Sequence, residues 1–354
     1  MKHLYGIFMT NPAFTLTPDL AGVHGARVHT IVNNGLTALV SDSDVDDYSR
    51  LYKPALVQLL AAHQRVTESA MAQVPALLPT KFGTVLQPAE IQLLLTQFHA
   101  DLQAALQALV DKVELEVVVT WQPERLFAEM AQEPTITQLC AAAATMSPAE
   151  VQQLQIVVGQ LVKAAIDQRR ATYQAQILGG LRPLADDVEC NPVFNDQVVT
   201  NLACLISSTR QAEFDRQVEA LDSELAGQLN FKIVGPLPAY SFSTLEVVKA
   251  DPDDIEWACK QLGLGDTASA DEIRAAYRRA ARHYHPDVAP NDALAAERFD
   301  EINEAHQLVQ HYYTAQAQRM PAGQNAAEFR CDFSGTGVAN TLLVNLCRSS
   351  ELAS

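Results

Sequence analysis

Apolar positions along the first two thirds of the chain fall into short runs separated by longer periodic stretches. Strand-like runs occupy residues 4–9, 28–32, 36–41 and 77–82. The spacing predicts a helix over 54–73 between the third and fourth runs, and a long amphipathic helix over 89–111 after them. The pattern then repeats. Residues 113–121 alternate in part and end on Trp121, as a sheet strand should. A stretch rich in Ala, Gln and Leu over 123–184 reads as helical, followed by a strand at 198–207, a charged amphipathic helix at 211–229 and a strand at 231–234. Strands and helices in two successive sets predict an α+β chain with two small sheet-and-helix domains of ferredoxin-like type, spanning 1–111 and 112–243.

Beyond residue 252 the period changes to helical throughout. Ser269 with Glu272 three positions on forms a capping box, which fixes a helix start. Ile273, Tyr277, Ala280 and Tyr284 then recur at helical spacing, while Arg274, Arg278, Arg279 and Arg282 share the opposite face. Pro286 cannot continue the helix and pushes His285 away from helical angles, so the chain must turn there. Asn291 and Asp292 can cap a following helix whose stripe is Ala295, Phe299, Ile302, Ala305 and Val309. Two antiparallel helices would then hold His285, Pro286 and Asp287 at their connecting tip.

This constellation resembles the J-domain, the module that stimulates ATP hydrolysis in DnaK-type heat-shock chaperones. "IRAAYRRAARHYHPD" and "FDEINEAHQLV" match its second and third helices almost throughout. The resemblance implies an all-α J-domain over 253–313 that docks its basic face on an acidic surface of the chaperone. It also implies that Asp287 is the trigger, with His285 and Pro286 holding its geometry. Arginine suits that task because its fork of donors matches carboxylates. Ala258 and Cys259 fill slots where the family carries aromatics, and His306 stands where it carries a tyrosine. The Gly/Phe-rich linker and paired CxxC motifs of general-purpose J-proteins are absent, which implies a specialised adaptor.

Charge sharpens this picture. With 25 basic and 42 acidic residues the chain carries a formal charge of -17, so nucleic acid and anionic membrane surfaces should repel it. Against that background four arginines on one short helix form a local positive island. A hydrophobic fraction of 48% is ordinary for a protein with a good core. The six cysteines, Cys140, Cys190, Cys204, Cys259, Cys331 and Cys347, have no metal-like spacing and read as reduced thiols. No signal peptide or spanning segment is expected, and the reading is cytoplasmic. Nucleotide-binding loops, HExxH and GxSxG are missing, so no enzyme activity, metal or cofactor is expected. His24, His29, His63 and His99 show no convergent partners in the sequence.

A second resemblance covers residues 4–242. "LYGI", "NGLTALVSD" at 34–42, "LLPTKFGTVL" at 77–86 and "GPLPAYSF" at 235–242 are similar, in order and spacing, to the gas vesicle protein family GvpL/GvpF. Leu237 and Ala239 replace a common tryptophan and proline of that family. The resemblance implies an accessory protein in assembling gas vesicles, with a small hydrophobic shell protein and other accessory proteins as partners. Lys81, Phe82, Tyr240 and Phe242 are the candidates for contacting that client, with core packing as the alternative for the three aromatics. Gly83 and Gly235 are expected to take backbone angles that a side chain would forbid.

Two readings stay open for the whole chain. It is a co-chaperone that holds shell protein and recruits a DnaK-type ATPase, or a structural or nucleating vesicle component whose J-domain is non-essential. Residues 244–252 read as a polar linker, open to proteolysis. The tail, 314–354, reads as a mobile "MPAGQN" stretch and then a hairpin of two strands, around 329–333 and 342–346. A lone hairpin is not stable in water, so docking onto an edge or groove of the front domains is expected, with binding to the client or to a second copy of the chain as the alternative.

Overall fold

The computed structural model describes residues 1–17, 20–45, 48, 53–143, 147–193, 195–225, 227–284, 295–318, 329–338 and 341–347. The chain forms two compact units. The first joins Met1–Ala108 to Thr244–Cys347, and the second is built from Leu109–Ser243.

In the first unit, β1 (Lys2–Met9), β2 (Val28–Asn33), β3 (Leu36–Asp42) and β4 (Leu78–Pro79) form an antiparallel sheet in the order β2-β3-β1-β4. A short β5 (Val85–Leu86) also pairs with β1. Asn34 and Gly35 turn β2 into β3 with φ of 49° and 78°, the double left-handed turn that an Asn-Gly pair favours. Helices α1 (Lys53–Met71), α2 (Pro88–Gln97) and α3 (His99–Ala108) cover the sheet. Ile91, Leu94, Leu95, Leu102 and Leu106 are buried beneath them.

Two expectations need correction here. The run 77–82 gives only a two-residue strand, because the chain turns back at Lys81: its carbonyl accepts from Thr84 N, and Gly83 adopts φ 90°. The helix expected over 89–111 is two helices, since Phe98 leaves helical geometry and its side chain enters the core.

The remainder of the first unit starts with β10 (Thr244–Lys249), on segment 244–252 that the sequence reads as a linker. Thr244, Leu245 and Val247 are buried, and Lys81 N donates to the Leu245 carbonyl at 2.9 Å. Lys81 Nζ meets Glu246 Oε1 at 2.5 Å and Lys249 Nζ meets Glu90 Oε1 at 2.9 Å, on α2. The polar residues that suggest a linker are therefore the partners of charges more than a hundred positions earlier.

Helices α8 (Pro252–Leu262), α9 (Ala270–Tyr284) and α10 (Ala295–Gln318) follow, with β11 (Thr267–Ala268) between the first two. Asp251 caps α8 by accepting from Asp253 N, and Gly263 ends it in a left-handed conformation.

The tail strands β12 (Cys331–Asp332) and β13 (Leu342–Cys347), with a short α11 (Gly335–Val338) between them, do not pair with each other as a hairpin would. β12 pairs with β11, and β13 runs antiparallel to β10 from Thr244↔Cys347 to Lys249↔Leu342. Cys331, Phe333 and Val338 complete the core formed by Ile255, Ala258, Ile273, Ile302 and Val309. The reason is apolar area: a two-stranded hairpin buries too little of it alone. The "MPAGQN" stretch lies outside the described residues.

In the second unit, β6 (Lys112–Trp121), β7 (Asp187–Cys190), β8 (Val198–Ser207) and β9 (Leu229–Leu237) are antiparallel in the order β7-β8-β6-β9. Helices α4 (Pro123–Ala131), α5 (Pro134–Ala143) and α6 (Pro148–Leu181) follow β6, and α7 (Gln211–Glu224) follows β8. This is the split βαββαβ arrangement of the ferredoxin-like fold. The first sheet has the same strand order, without a long helix between its first two strands. Gly235 adopts φ 134°, and a Cβ there would meet the Glu114 carbonyl at 2.8 Å, so only glycine fits.

Candidate functional site

The helical module is built as its capping signals require. Ser269 N donates to Glu272 Oε2 at 2.7 Å, and Glu272 N donates to Ser269 Oγ at 3.4 Å. Ile273 and Ala276 are buried at the start of α9, with Tyr277, Ala280 and Tyr284 half-buried along the same face. On α10, Ile302, Ala305 and Val309 are buried and Phe299 is half-buried. Tyr277 Oη donates to Asn303 Oδ1 at 2.9 Å, and its ring stacks on His306 at 4.1 Å between centroids. His306 thus keeps an aromatic contact between the two helices, and burial lowers its pKa.

Arg274, Arg278, Arg279 and Arg282 are all exposed. Arg274 is held by Asp271 at 2.5 Å, whereas the other three make no ion pair among the described residues. The fork of each is therefore available to an outside carboxylate. His285, Pro286 and Asp287 lie outside the described residues, between the end of α9 and the start of α10.

The candidate client residues are dispersed. Lys81 is committed to Glu246. Phe82 is half-buried among His3, Tyr48 and His63, with ring centroids 5.1 to 5.7 Å away. Tyr240 and Phe242 are half-buried in the second unit, where Ser241 between them has a specific task. Its N and Oγ donate to the two oxygens of Glu114, at 2.8 and 2.7 Å. Burial nonetheless pushes the Glu114 carboxyl up to about 7.

Sequence reasoning missed that pair, and it missed a second one. His3 Nε2 and His63 Nδ1 lie 2.9 Å apart, both side chains buried. Burial lowers His3 to about 3 and His63 to about 4, so both rings are neutral near neutral pH. His99 instead binds the Asn34 carbonyl. No group of three or more metal-ligating side chains converges among the described residues. None of the described helices is long and apolar enough to cross a membrane.

A further surface of the second unit had no signal in the motifs. It is a groove of about 380 Å³ beside Trp121, floored by α6 and walled by α4. Phe127 stands at its rim, 63% exposed.

Comparison with known proteins accounts for both parts of the chain. Residues 1–244 match the family "Gas vesicle synthesis protein GvpL/GvpF", and residues 260–313 match the DnaJ domain. Gas vesicle protein F of Nostoc sp. is 29% identical over 250 residues, covering 69% of this chain and 98% of that protein. Chaperone protein DnaJ 2 of Nocardia farcinica is 52% identical over 50 residues, only 14% of this chain and 13% of that protein. The crystal structure of GvpF from Anabaena sp. superimposes with a TM-score of 0.56 at 26% identity, covering 68% of this chain and 96% of that one. The GvpF of Microcystis aeruginosa shares the fold, with a TM-score of 0.51. With two thirds of its length matching one family and its helical module matching another, the chain belongs to the GvpL/GvpF gas vesicle synthesis proteins and carries a DnaJ domain behind that region.

Proposed function

We propose that this protein is a co-chaperone of gas vesicle assembly. Its GvpL/GvpF region holds hydrophobic shell protein, and its J-domain recruits a DnaK-type chaperone by stimulating that partner's ATPase. The observation that carries this reading is the free basic face of α9, displayed next to the His-Pro-Asp segment on a chain of net charge -17. A module serving only as packing would have no reason to keep three arginine forks unpaired there. Energy enters through the partner's ATP, not through chemistry on this chain.

The test is single-turnover ATP hydrolysis by a DnaK-type chaperone mixed with the purified protein. Asp287→Asn and His285→Gln should each abolish stimulation while leaving the circular dichroism spectrum unchanged. Charge reversal at Arg278 or Arg279 should raise the concentration needed for half-stimulation, about tenfold at low salt and less at high salt. Stimulation by Asp287→Asn equal to the parent's would remove the co-chaperone reading and leave the structural-component one.

A further inference from the structure

The groove of the second unit has properties that its own fold does not require. Five residues of α6, Ile156, Gly159, Lys163, Ile166 and Arg170, follow one another at three- and four-residue spacing and so share one face. Four of them line the groove, and Ile156, 55% exposed, extends the face by a turn. Val157 and Leu161 are exposed on the adjoining strip. From Val151 to Val162 the helix has no charged residue at all, in a chain where 19% of residues are charged. A solvated helix face would ordinarily be polar.

Gly159 is the second sign. A Cβ at this position would meet nothing within 4 Å, so no packing inside the chain demands glycine. Mid-helix glycine is disfavoured relative to alanine, and here that cost secures no internal contact. What it leaves is a gap in the groove floor, where a partner's backbone can come close.

The third sign is polar. Trp121 Nε1 and Arg170 Nε, in two of the groove's lining residues, are buried donors without an acceptor among the described residues. Arg170 uses its terminal nitrogens on Asp167 and the Asp196 carbonyl, and Lys163 adds an exposed positive charge. Buried donors without partners are uncommon in folded proteins. Asp167 and Asp196 line the groove as well and balance its two cations, so what remains are apolar walls with spare donors, which suit the carboxyl end of an apolar helix. Such an end presents unpaired carbonyls that can accept from those donors.

From this the geometry points to the α4–α6 groove as a docking site for an uncharged, apolar helical segment of another polypeptide, seated with its carboxyl end near Trp121 and Arg170. The assignment deepens the client-holding part of the co-chaperone reading and rests on it. Lys81, Phe82, Tyr240 and Phe242 then shape the fold, and the client meets Phe127, Ile156 and the floor at Gly159.

The experiment uses the full chain carrying Trp257→Phe, so that Trp121 is its one remaining tryptophan. The probe is a fluorescein-labelled helical peptide of leucine, alanine and glutamine, with no charged side chains. Binding is read by anisotropy, and the emission of the buried Trp121 should change as a peptide carbonyl accepts from its Nε1. Gly159→Leu fills the floor while improving helix propensity. It should therefore weaken binding by about tenfold or more without lowering the melting temperature. Phe127→Ser, at an exposed ring that the fold does not need, should weaken binding as well. Binding by both variants equal to the parent's, or binding with no change in Trp121 emission, overturns the assignment. Stimulation of the chaperone's ATPase by Gly159→Leu should stay at the parent's level. Failure of the groove thus shows in peptide binding, and failure of the co-chaperone reading shows in the Asp287→Asn comparison.

Discussion

Truncation after Met320 is expected to unfold or severely loosen the J-domain, although the removed segment lies outside the family's own boundaries. Four side chains that go with it, Cys331, Phe333, Val338 and Leu342, are buried. Each removes apolar contact worth about 1 to 3 kcal/mol from a core that must stand without it. Hydrogen bonds go too: Tyr312 Oη loses the Asp332 carbonyl, and Gln316 Nε2 loses the Gly337 carbonyl and Thr341 Oγ1. The sum is about 5 kcal/mol or more, comparable with the whole stability of an ordinary domain. Calorimetry should show the transition of the first unit shifted down by tens of degrees, with ATPase stimulation lost alongside. Phe333→Ala alone should cost about 3 kcal/mol. The intact chain should resist proteases across 244–252, since that segment is a strand held by Lys81 and Glu90. A truncated chain that melts with the parent and stimulates equally would refute this role for the tail.

Acidification from about pH 7 to about pH 5 should move two unfolding transitions in opposite directions. In the first unit, the buried His3 and His63 have pKa values lowered from 6.5 to about 3 and about 4, chiefly by burial; the charges of His63 and His24 also weigh on His3. Below pH 6.5 the unfolded chain takes up protons that the folded one refuses. Stability is therefore full above that value and falls with acid, by up to about 1.4 kcal/mol per pH unit for each ring. In the second unit, Glu114 has its pKa raised from 4.5 to about 7 by burial, against the pull of the Ser241 donors. The folded form keeps a proton that the unfolded form releases, so this unit gains stability as pH falls through that window. Glu114→Gln preserves the contacts with Ser241 and should flatten the pH dependence of the second transition only. His63→Gln should reduce the slope of the first. Parallel movement of both transitions in the parent, or an unchanged slope in Glu114→Gln, would count against these assignments.

Much of the fold was legible because its signals are local. The strand at 198–207, the Asn34-Gly35 turn and the Ser269–Glu272 cap each depend on residues a few positions apart. What stayed hidden depends on distant partners. Leu245 and Val247 alternate as a strand should, but Glu246, Lys249 and Asp251 around them read as solvated until Lys81 and Glu90 are placed opposite the first two. The break at Phe98 has no glycine or proline to announce it; the ring is drawn out of the helix by the core beneath. The pairs His3–His63 and Glu114–Ser241 are separated by 60 and 127 positions. For the proposed chaperone-binding site the arginine face was readable from periodicity alone. The groove was not, because the uncharged stretch of α6 with its exposed Ile156, and the exposed Phe127 on α4, each look, one residue at a time, like ordinary helix.

The first unit is not continuous along the chain: its halves are separated by the whole of the second. During synthesis, β4 therefore leaves the ribosome long before the strand that covers its flank at Leu245, and β10 in turn waits for β13, almost a hundred residues later. An open sheet edge is a template for unwanted pairing. The nascent chain thus carries its own aggregation hazard until residue 347 emerges, while the second unit, contiguous from Leu109 to Ser243, can fold as soon as it is made. A protein proposed to shelter a hydrophobic client is, in the interval before its own closure, a candidate client of the same chaperone.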